Sequence, residues 1–385
     1  MKTKKKTAIL GDISDSSLGK MLDQKKNRGI PQFYLGNKNV RWGCFDLSCL
    51  HMMPFEAHEM ERYSIQRGDL VICEGGEPGR CAIWEDTESI MYQKALHRVR
   101  FISGVNAYYV YYWLCNAGKK GLLDQYCTGS TIKHLPGDKL RTIAIDLPDE
   151  RIQTRIASIL RSMDLKIKNN EAINQNLEQQ AQTLYDHLCG DCSSNELVSL
   201  AELMDYAGGS QPPASEFIFE EKVGYVRFVQ IRDYDTDSHI TYIPVSSRNK
   251  LCEEHDIMIA RYGASLGRIC SGINGAYNVA LAKVFPKQPY YREFLRCYLS
   301  SRAFYEGINN KGGRSAQAGF NQSDIKSFEL RIPSEAQLIK FEGIASSMFE
   351  HRLSLKNENR KLASMRDTLL PRLMSGELDV SELEL

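Results

Sequence analysis

The feature that most restricts the fold of this 385-residue chain is an internal repeat. The segment Ile143–Pro148 aligns with Phe328–Pro333, a shift of 185 residues, and the alignment then continues without a gap. The apolar positions that agree are Ile156, Ile159, Met163, Leu177, Leu184 and Leu188 in the first copy and Phe341, Ile344, Met348, Leu362, Leu369 and Leu373 in the second. Agreement at so many positions indicates one structural unit written twice.

The repeated segment predicts a long amphipathic helix in each copy, beginning after Pro148 and after Pro333. Its apolar residues alternate in steps of four and three, the rhythm of a helix that packs along one narrow stripe. At 1.5 Å per residue, about 38 helical residues form a rod roughly 57 Å long. If the two rods pack through their matching stripes, chain order makes them antiparallel, and we assign the repeated apolar residues to this packing.

Polar residues interrupt the apolar stripe of each predicted helix. Asn174 and Asn359 occupy the same repeat position, and Asn170 lies one turn earlier in the first copy. Two interpretations are open: a solvated helix face, or buried amides that fix the register of the helix pair.

The segments before the helices repeat as well. Asp69–Cys73, followed by a turn containing Gly79-Arg80, matches Asp256–Ala260 and Gly267-Arg268 with one residue of slip. Both read as strand, glycine turn and strand. The sequence therefore predicts an α+β protein with two mixed α/β domains separated by two long antiparallel helices, a pseudo-two-fold repeat. The expected segments are 1–147 (first domain), 148–195 (central helix), 196–331 (second domain) and 332–385 (C-terminal helix).

Composition limits the class of protein. The chain is 42% hydrophobic and 25% charged, and no run of about 18 apolar residues is present to cross a bilayer. Met1–Lys6 is basic, but no signal-peptide hydrophobic region follows it. Eleven cysteines are scattered through the chain, as expected in a reducing compartment. We expect a cytoplasmic protein.

The net charge of +1 conceals an uneven distribution. Residues 1–142 contain 21 Lys and Arg against 15 Asp and Glu, an excess of +6, whereas residues 196–327 contain 15 of each. Phosphate binding is therefore better supported in the first domain than in the predicted helices, which are slightly acidic.

Short motifs in the predicted order resemble the DNA specificity subunits of type I restriction-modification systems. Leu10-Gly-Asp-Ile13 and Leu200-Ala-Glu-Leu203 resemble the start of a target-recognition domain in that family, and Thr128–Leu135 resembles the run near its end. Leu370–Leu378 resembles the family's C-terminal helix end. The second copy departs at Gly313–Gln317, which weakens the transfer of DNA contacts in that loop and fits two domains that read different sequences.

The resemblance implies a non-catalytic subunit that recognises a bipartite, asymmetric site on double-stranded DNA. It implies docking of DNA methyltransferase subunits and of restriction subunits that translocate and cleave. No cofactor, metal or catalytic residue is expected in this chain. A rigid helical spacer would fix the distance between half-sites, and each domain would read base edges in a groove.

Candidate DNA contacts lie in turns and loops of the two domains, where basic and amide side chains suit phosphates and base edges. In the first domain they are Asn37, Lys38, Asn39, Arg41, Arg80, Ser130, Lys133 and His134. In the second domain they are Gln230, Arg232, Tyr234, Arg261, Tyr262, Arg268, Arg314, Ser315 and Gln317. For each residue taken singly, an ordinary solvated role is the competing interpretation. The aromatic run Tyr108–Trp113 has helical spacing and is assigned to the core.

Two other functions compete with a DNA specificity subunit, and one metal site is weighed separately. The chain could be a stand-alone helical scaffold that joins proteins without reading DNA sequence. Asp149, Asp164 and Lys166 imitate a nuclease carboxylate-lysine set, but two of them fall on a predicted helix where a strand is expected. Cys189 and Cys192 have a metal-ligand spacing without the second pair that zinc requires.

Overall fold

A computed structural model of the chain describes residues 6–23, 27–77, 79–129, 133–190, 197–310 and 319–382. It divides into two compact units. Unit 1 is Met1–Ile167 with Lys361–Leu385, and unit 2 is Lys168–Arg360. Unit 1 is thus completed by a part of the chain that is distant in sequence, whereas unit 2 is one continuous stretch.

Unit 1 is built on small sheets. Its strands are β1 (Lys6–Ile9), β2 (Ser14–Leu18), β3 (Ile30–Leu35), β4 (Val40–Arg41), β5 (Cys44–Phe45), β6 (His51–Phe55), β7 (Ser64–Ile65), β8 (Leu70–Cys73), β9 (Cys81–Ile83), β10 (Ile90–Tyr92), β11 (Leu96–Phe101) and β12 (Ala144–Leu147). Two four-stranded sheets have the orders β2-β11-β8-β9 and β6-β3-β10-β7, and β1-β12 and β4-β5 form two-stranded pairs. In the second sheet β3 and β10 are parallel, and the other pairings are antiparallel.

The helices of unit 1 are α1 (Ala107–Lys119), α2 (Gly137–Arg141) and the first part of α3 (Glu150–Gly190). Asn106 starts α1 because its side chain accepts hydrogen bonds from the backbone N–H groups of Tyr108 (3.0 Å) and Tyr109 (3.2 Å). Tyr109 and Tyr112 are buried in the main core of the unit, so the assignment of this aromatic run to the core is correct.

Unit 2 repeats the same sheet plan. Its strands are β13 (Leu197–Ser199), β14 (Met204–Gly208), β15 (Tyr225–Val229), β16 (Tyr242–Pro244), β17 (Leu251–Cys252), β18 (Met258–Ala260), β19 (Ile269–Cys270), β20 (Gly275–Tyr277), β21 (Leu281–Pro286) and β22 (Glu329–Arg331). The sheet orders are β14-β21-β18-β19 and β16-β15-β20-β17, with β13-β22 as a separate pair. The parallel pair recurs as β15 and β20. Corresponding strands therefore pair in the same order in both units, which confirms the internal repeat.

The helices of unit 2 are α4 (Leu200–Leu203), α5 (Arg292–Ser300), α6 (Arg302–Asn309), α7 (Gln322–Lys326) and much of α8 (Glu335–Ser375). A capping box fixes the start of α7, because the Asn321 side chain accepts from Asp324 N and the Asp324 carboxylate accepts from Asn321 N. The core gathers Phe294, Phe304 and Phe320 with Leu338 and Phe341.

The long helices α3 and α8 each contain 41 residues and begin 185 positions apart, at Glu150 and Glu335. Within unit 1, Arg366 Nη1 donates to Asp164 Oδ1 at 2.7 Å, and Arg155 Nη1 donates to the carbonyl of Val380 at 3.2 Å. The residue number rises along one partner as it falls along the other, so the two segments are antiparallel.

The long helices also pair within unit 2. Asn170 Nδ2 donates to Asn359 Oδ1 at 2.8 Å, and Arg352 Nη2 forms an ion pair with Glu178 Oε2 at 2.9 Å. The same antiparallel order holds. Asn170 is fully buried and Asn174 is 8% exposed, so at these positions the buried-amide interpretation is correct and the solvated one is wrong.

The predicted packing residues differ in how deeply they are buried. Ile156 and Leu373 are buried in the core of unit 1, and Phe341 is buried in that of unit 2. The partly buried residues are Ile159, Leu369, Met163, Leu177, Leu188, Met348 and Leu362.

Two assignments in the packing stripe need correction. Leu184 and Ile344 are 36% and 40% exposed, and the buried residue is one position further on, at Tyr185 and Ala345. The reason is periodicity: a straight helix turns every 3.6 residues, so a stripe written every 3.5 residues drifts off the buried face. No helix in the described ranges has both the length and the apolarity needed to span a membrane.

Candidate nucleic-acid interface

Three segments that the sequence analysis selected in unit 1 come together: the turn after β3, the glycine turn after β8 and the loop that ends at His134. Asn37 Nδ2 donates to the carbonyl of Gly75 at 2.9 Å, which joins the first two segments. Gly76 N donates to the carbonyl of Lys133 at 3.2 Å, which joins the second and third. These three segments, residues 37–41, 75–77 with 79–80, and 133–134, thus lie side by side, and we call them the unit 1 loop surface.

Arg80 connects the glycine turn to the turn after β3. Its Nη2 donates both to the side-chain oxygen of Asn37 and, at 3.3 Å, to the Asn37 carbonyl. Gly79 precedes it with a φ of 79°, and a Cβ atom there would lie 2.3 Å from Leu123 Cδ1. Glycine is therefore required at this turn, and the guanidinium group of Arg80 is held by an intramolecular partner.

The other residues of the first turn have different exposures. Asn39 is buried: its Oδ1 accepts from Gly36 N at 2.9 Å and its Nδ2 donates to the carbonyl of Asp46 at 2.9 Å, so it shapes the turn. Lys38 is exposed, with its Nζ 2.6 Å from Nε2 of His51. The Arg41 side chain is 52% exposed and lies 3.7 Å from the Asp46 carboxylate. Lys38 and Arg41 are therefore the cations of this turn that solvent reaches.

The third segment of the unit 1 loop surface is anchored by a buried histidine. His97, 1% exposed, bonds through Nε2 to the carbonyl of Leu135 at 2.9 Å, and burial lowers the pKa of its imidazole. His134 is exposed and its ring faces Gly75, while Lys133 pairs with Asp124 at 2.6 Å. His97 thus has a structural role that sequence spacing did not reveal, because its partner is a backbone oxygen.

The corresponding turns of unit 2 are joined in the same way by different residues. Arg268 forms two hydrogen bonds with the carboxylate of Asp235, at 2.9 and 2.6 Å, so the glycine turn is linked to the turn after β15. Gly267 precedes it with a φ of 82°, and a Cβ atom there would lie 2.7 Å from Ile308 Cγ2. Arg80 and Arg268 therefore brace equivalent loops of the two units.

Three further predicted DNA contacts, Gln230, Arg232 and Tyr234, lie in the turn after β15. Gln230 is half-buried, and its backbone N–H donates to Asp233 at 2.9 Å. The Arg232 side chain is 52% exposed. The hydroxyl of Tyr234 is buried and, among the described residues, has no hydrogen-bond partner. Among the three predicted residues of this turn, Arg232 is the one that solvent reaches most.

Arg261 and Tyr262 lie beside one another in the glycine turn of unit 2. The Arg261 guanidinium lies 5.2 Å from the Tyr262 ring centroid and 5.8 Å from that of Phe320, and it also abuts Gly208. Stacking of this kind holds a guanidinium in a fixed plane. We call the turns containing residues 230–235 and 261–268 the unit 2 loop surface. Ser130, Arg314, Ser315 and Gln317 lie outside the described residues, as does Cys192.

The residues of the nuclease interpretation have structural partners. Asp164 lies on α3, where its carboxylate accepts from the Tyr112 hydroxyl at 2.6 Å and from Arg366 at 2.7 Å. Across the described ranges, no three His, Cys, Asp or Glu side chains converge as a metal site would require. The carboxylate that the sequence offered for metal chemistry therefore holds α1, α3 and α8 together in unit 1.

Comparison with known proteins finds a related family. Residues 4–179 match the family model described as type I restriction modification DNA specificity domain. Over this part of its length the chain is similar to that family. The similarity favours a DNA specificity subunit over a stand-alone scaffold, in agreement with the resemblance drawn from the sequence motifs.

Two curated relatives and one solved structure are similar to this chain. The chain is 25% identical over 311 residues to the type I restriction enzyme MjaIX specificity subunit of Methanocaldococcus jannaschii, covering 73% of this chain and 71% of the relative. It is 21% identical over 329 residues to the HindI specificity subunit of Haemophilus influenzae, covering 64% and 72%. The crystal structure of a type I restriction-modification S subunit from M. genitalium superimposes with a TM-score of 0.63 at 15% identity and covers 96% of both chains. The last comparison establishes that the two proteins share a fold.

Proposed function

We propose that this chain is a specificity subunit that recognises a bipartite, asymmetric sequence on double-stranded DNA. Residues 1–147 and 196–331 would act as its two target-recognition domains, and residues 148–195 and 332–385 would act as the spacer. DNA methyltransferase and restriction subunits would dock on this chain and perform the chemistry. The observation that carries the proposal has two parts. The two units repeat one sheet plan strand by strand, and their loop surfaces differ in amino-acid composition.

The loop surfaces have the chemistry that two different half-sites require. The unit 1 loop surface offers Lys38 and Arg41 to solvent, and the unit 2 loop surface offers Arg232 beside the stacked pair Arg261 and Tyr262. Lys and Arg bind phosphates, and Arg also reads guanine in the major groove. Arg80 and Arg268 would contribute by holding the loops, since their guanidinium groups already bond within the chain.

The decisive experiment uses the complex of the full chain with its cognate methyltransferase subunits. Methylation of a randomised DNA library, read by sequencing, is expected to occur at one split and non-palindromic sequence. Methylation that is independent of sequence would refute the proposal. A gel shift with the chain alone and with the complex would show which assembly binds DNA.

The contribution of the unit 1 loop surface can be isolated by removing its two exposed cations. Lys38→Ala with Arg41→Ala is expected to weaken DNA binding and to reduce the slope of log K against log salt by about 1 for each phosphate that the variant no longer neutralises. Arg62→Ala with Arg67→Ala is the matched control, because it also removes two exposed cations, both outside the unit 1 loop surface. Equally weakened binding in the two proteins would assign the effect to net charge alone.

The spacer role of the helices has a separate test. Seven residues removed from α3 and seven from α8, around the bond between Asn170 and Asn359, shorten each helix by about 10 Å. Since stacked bases are about 3.4 Å apart, the tolerated gap between half-sites is expected to shrink by roughly three base pairs with both half-sites unchanged. An unchanged gap would contradict a spacer function.

We also propose that the chain itself is non-catalytic and acts in the cytoplasm. Every cysteine in the described ranges is a free thiol, as a reducing compartment allows. The isolated chain is expected to leave DNA intact in the presence of Mg²⁺, and Asp164→Ala is expected to leave this result unchanged. Metal-dependent cleavage by the isolated wild-type chain that Asp164→Ala abolishes would revive the nuclease interpretation.

A further inference from the structure

Unit 2 contains a cavity of about 150 Å³ where α5 and β19 meet the paired segments of α3 and α8. Its wall includes the side chains of Arg268, Arg296, Arg352 and Lys356. These four cations come from three separate stretches of the chain, so no sequence motif announces their convergence.

The carboxylates in the wall do not balance these cations. Glu178 and Glu293 are the two acidic residues that line the cavity, and Asp235, outside the lining, pairs with Arg268, which leaves one more positive than negative charge among these groups. Glu178 pairs with Arg352 at 2.9 Å and Glu293 pairs with Arg296 at 2.7 Å. Lys356 is exposed as a residue, yet desolvation of its ammonium group beside the wall and, next, the neighbouring Arg352 lower its pKa. The environment of Lys356 thus disfavours a further positive charge.

Three buried donors in the same wall have no hydrogen-bond partner among the described residues: Arg296 Nη1, Arg352 Nε and the Tyr234 hydroxyl. Arg296 as a whole is 7% exposed, and its guanidinium carbon lies 3.5 Å from the ring centroid of Phe349. A buried donor without an acceptor costs about 1–3 kcal/mol. An anion in the cavity would bring the missing acceptors and negative charge close to these groups.

The equivalent place in unit 1 provides a contrast. Its cavity, about 460 Å³, has Tyr111, Asp164 and Arg366 at the repeat positions of Arg296, Phe349 and Ala181. There Arg366 is neutralised by Asp164 at 2.7 Å and Asp367 at 3.0 Å. The cationic excess therefore belongs to unit 2 and is not a general consequence of the fold.

We propose that the cavity of unit 2 is a binding site for a small tetrahedral oxyanion of the phosphate class. Two sources share this chemistry: free inorganic phosphate and the phosphate group of a small phosphorylated molecule. The bound anion would link α5, through Arg296, to α8, through Arg352 and Lys356. Arg268 and Tyr234 belong both to the unit 2 loop surface and to the cavity lining, whereas Arg296, Arg352 and Lys356 lie outside the loop surface. Substitution of Lys356 therefore tests the cavity separately from the proposed DNA contacts.

The test is a calorimetric titration of the full chain with inorganic phosphate, with chloride at matched ionic strength as the reference. One saturable site is expected, together with a higher midpoint of thermal unfolding in phosphate, because a ligand bound to the folded state stabilises it. Lys356→Gln is expected to weaken phosphate binding at least tenfold. Lys340→Gln is the control, since Lys340 is an exposed residue of the same helix outside the cavity.

A second variant guards against a folding defect. Tyr234→Phe removes one unpartnered hydroxyl from a buried ring and is expected to weaken phosphate binding about threefold while leaving the protein folded in chloride. Ribose 5-phosphate and inorganic sulfate identify the source. Tighter binding of the sugar phosphate indicates a phosphorylated molecule, and similar or weaker binding indicates the free ion.

Two results would overturn the proposal. One is the absence of saturable phosphate binding, or equal affinity in the wild type, Lys356→Gln and Tyr234→Phe. The other is loss of methyltransferase binding in Lys356→Gln with phosphate affinity retained, which would assign the cavity to an acidic side chain of a partner. Failure of sequence-specific methylation would bear on the proposed function and leave this titration unaffected.

Discussion

The two units share one backbone plan, and the long helices make an equivalent contact in each. The side chains at that contact differ in their chemistry. In unit 1, Asp164 on α3 accepts from Tyr112 on α1 and from Arg366 on α8. In unit 2, the residue at the repeat position of Asp164 is Phe349, whose ring lies against the Arg296 guanidinium. A repeat thus preserves the path of the chain and the place of contact, while the interactions at that contact are free to diverge.

The difference has an energetic consequence. The Asp164 and Arg366 side chains are 30% and 28% exposed, so solvent screens their attraction. Phe349 is 6% exposed, and burial of its ring removes apolar area from water. Unit 2 should therefore depend more on this single position than unit 1 does.

The largest expected effect tests that difference directly. Phe349→Ala is expected to lower the free energy of unfolding by about 3–5 kcal/mol, because it leaves a cavity and removes the ring beside Arg296. Asp164→Ala, at the same repeat position, is expected to cost about 1–2 kcal/mol. Urea unfolding of the full chain measures both, and hydrogen exchange assigns each loss to its unit.

The control for this pair is Glu350→Ala, which removes an exposed side chain next to Phe349 and should change stability by less than about 0.5 kcal/mol. A larger loss for Asp164→Ala than for Phe349→Ala would reverse the comparison.

The buried amides of the helix pair give the next effect. Asn170→Ala removes hydrogen bonds to Glu358 (2.6 Å) and Asn359 (2.8 Å) and is expected to cost about 1–3 kcal/mol. Asn174→Ala is expected to cost at most about 1 kcal/mol: Oδ1 of both asparagines lacks a partner in the described part of the chain, but only Asn170 donates two hydrogen bonds through Nδ2. Both changes gain the same helix propensity, so the difference in unfolding free energy isolates the hydrogen bonds. Equal costs would show that the bonds of Asn170 contribute nothing.

The loop braces should differ between the units as well. Arg80 is half-buried and bonds twice to Asn37, so Arg80→Ala is expected to cost about 1–2 kcal/mol. Arg268 and Asp235 are 37% and 59% exposed, and Arg268→Ala is expected to cost less than about 1 kcal/mol. Hydrogen exchange should quicken in residues 36–42 of the first variant and in residues 230–236 of the second. Faster exchange elsewhere, without a change in these turns, would disprove the brace role.

The architecture could be predicted from the sequence where the signal is local and repeated. Pro148 and Pro333 precede helices that begin at Glu150 and Glu335, because proline suits a helix start and the apolar stripe then continues for many turns. The order of the strands could not be predicted in this way. The parallel partner of β3 is β10, more than fifty residues away, and nothing in the sequence of either strand identifies the other as its partner.

The candidate site was predicted at the level of loops and less well at the level of residues. The loops are marked by glycine and by polar composition, and those of unit 1 do converge. Asn39, which the sequence offered as a DNA contact, is buried and shapes its own turn, while Arg80 bonds to a residue 43 positions away. An exposed and a buried amide look alike in a sequence, since the difference depends on contacts between distant segments.

The smallest expected effect concerns pH. Burial raises the pKa of Glu342 in unit 2, against the hydrogen bond from Glu293 N. In unit 1, burial also acts to raise the pKa of Asp367, but the hydrogen bond from Lys119 and the charge of Arg366 lower it overall. A carboxyl group whose pKa is raised in the folded state adds stability as the pH falls toward the pKa of the unfolded state. A carboxyl group whose pKa is lowered removes stability only as the pH falls below the pKa of the unfolded state.

Between pH 7 and about 4.5, close to the unfolded pKa of a glutamate, Glu342 should therefore make the wild type gain stability relative to Glu342→Gln. Over the same range Asp367→Asn should lose a constant amount and leave the pH slope unchanged, because Asp367 stays ionised throughout. Urea unfolding at several pH values measures both slopes. An unchanged slope in Glu342→Gln would mean that the ion pair with Arg292, at 3.1 Å, fully offsets the burial of this carboxylate. The two units would then balance their buried charges equally well, despite the different residues at their helix contacts.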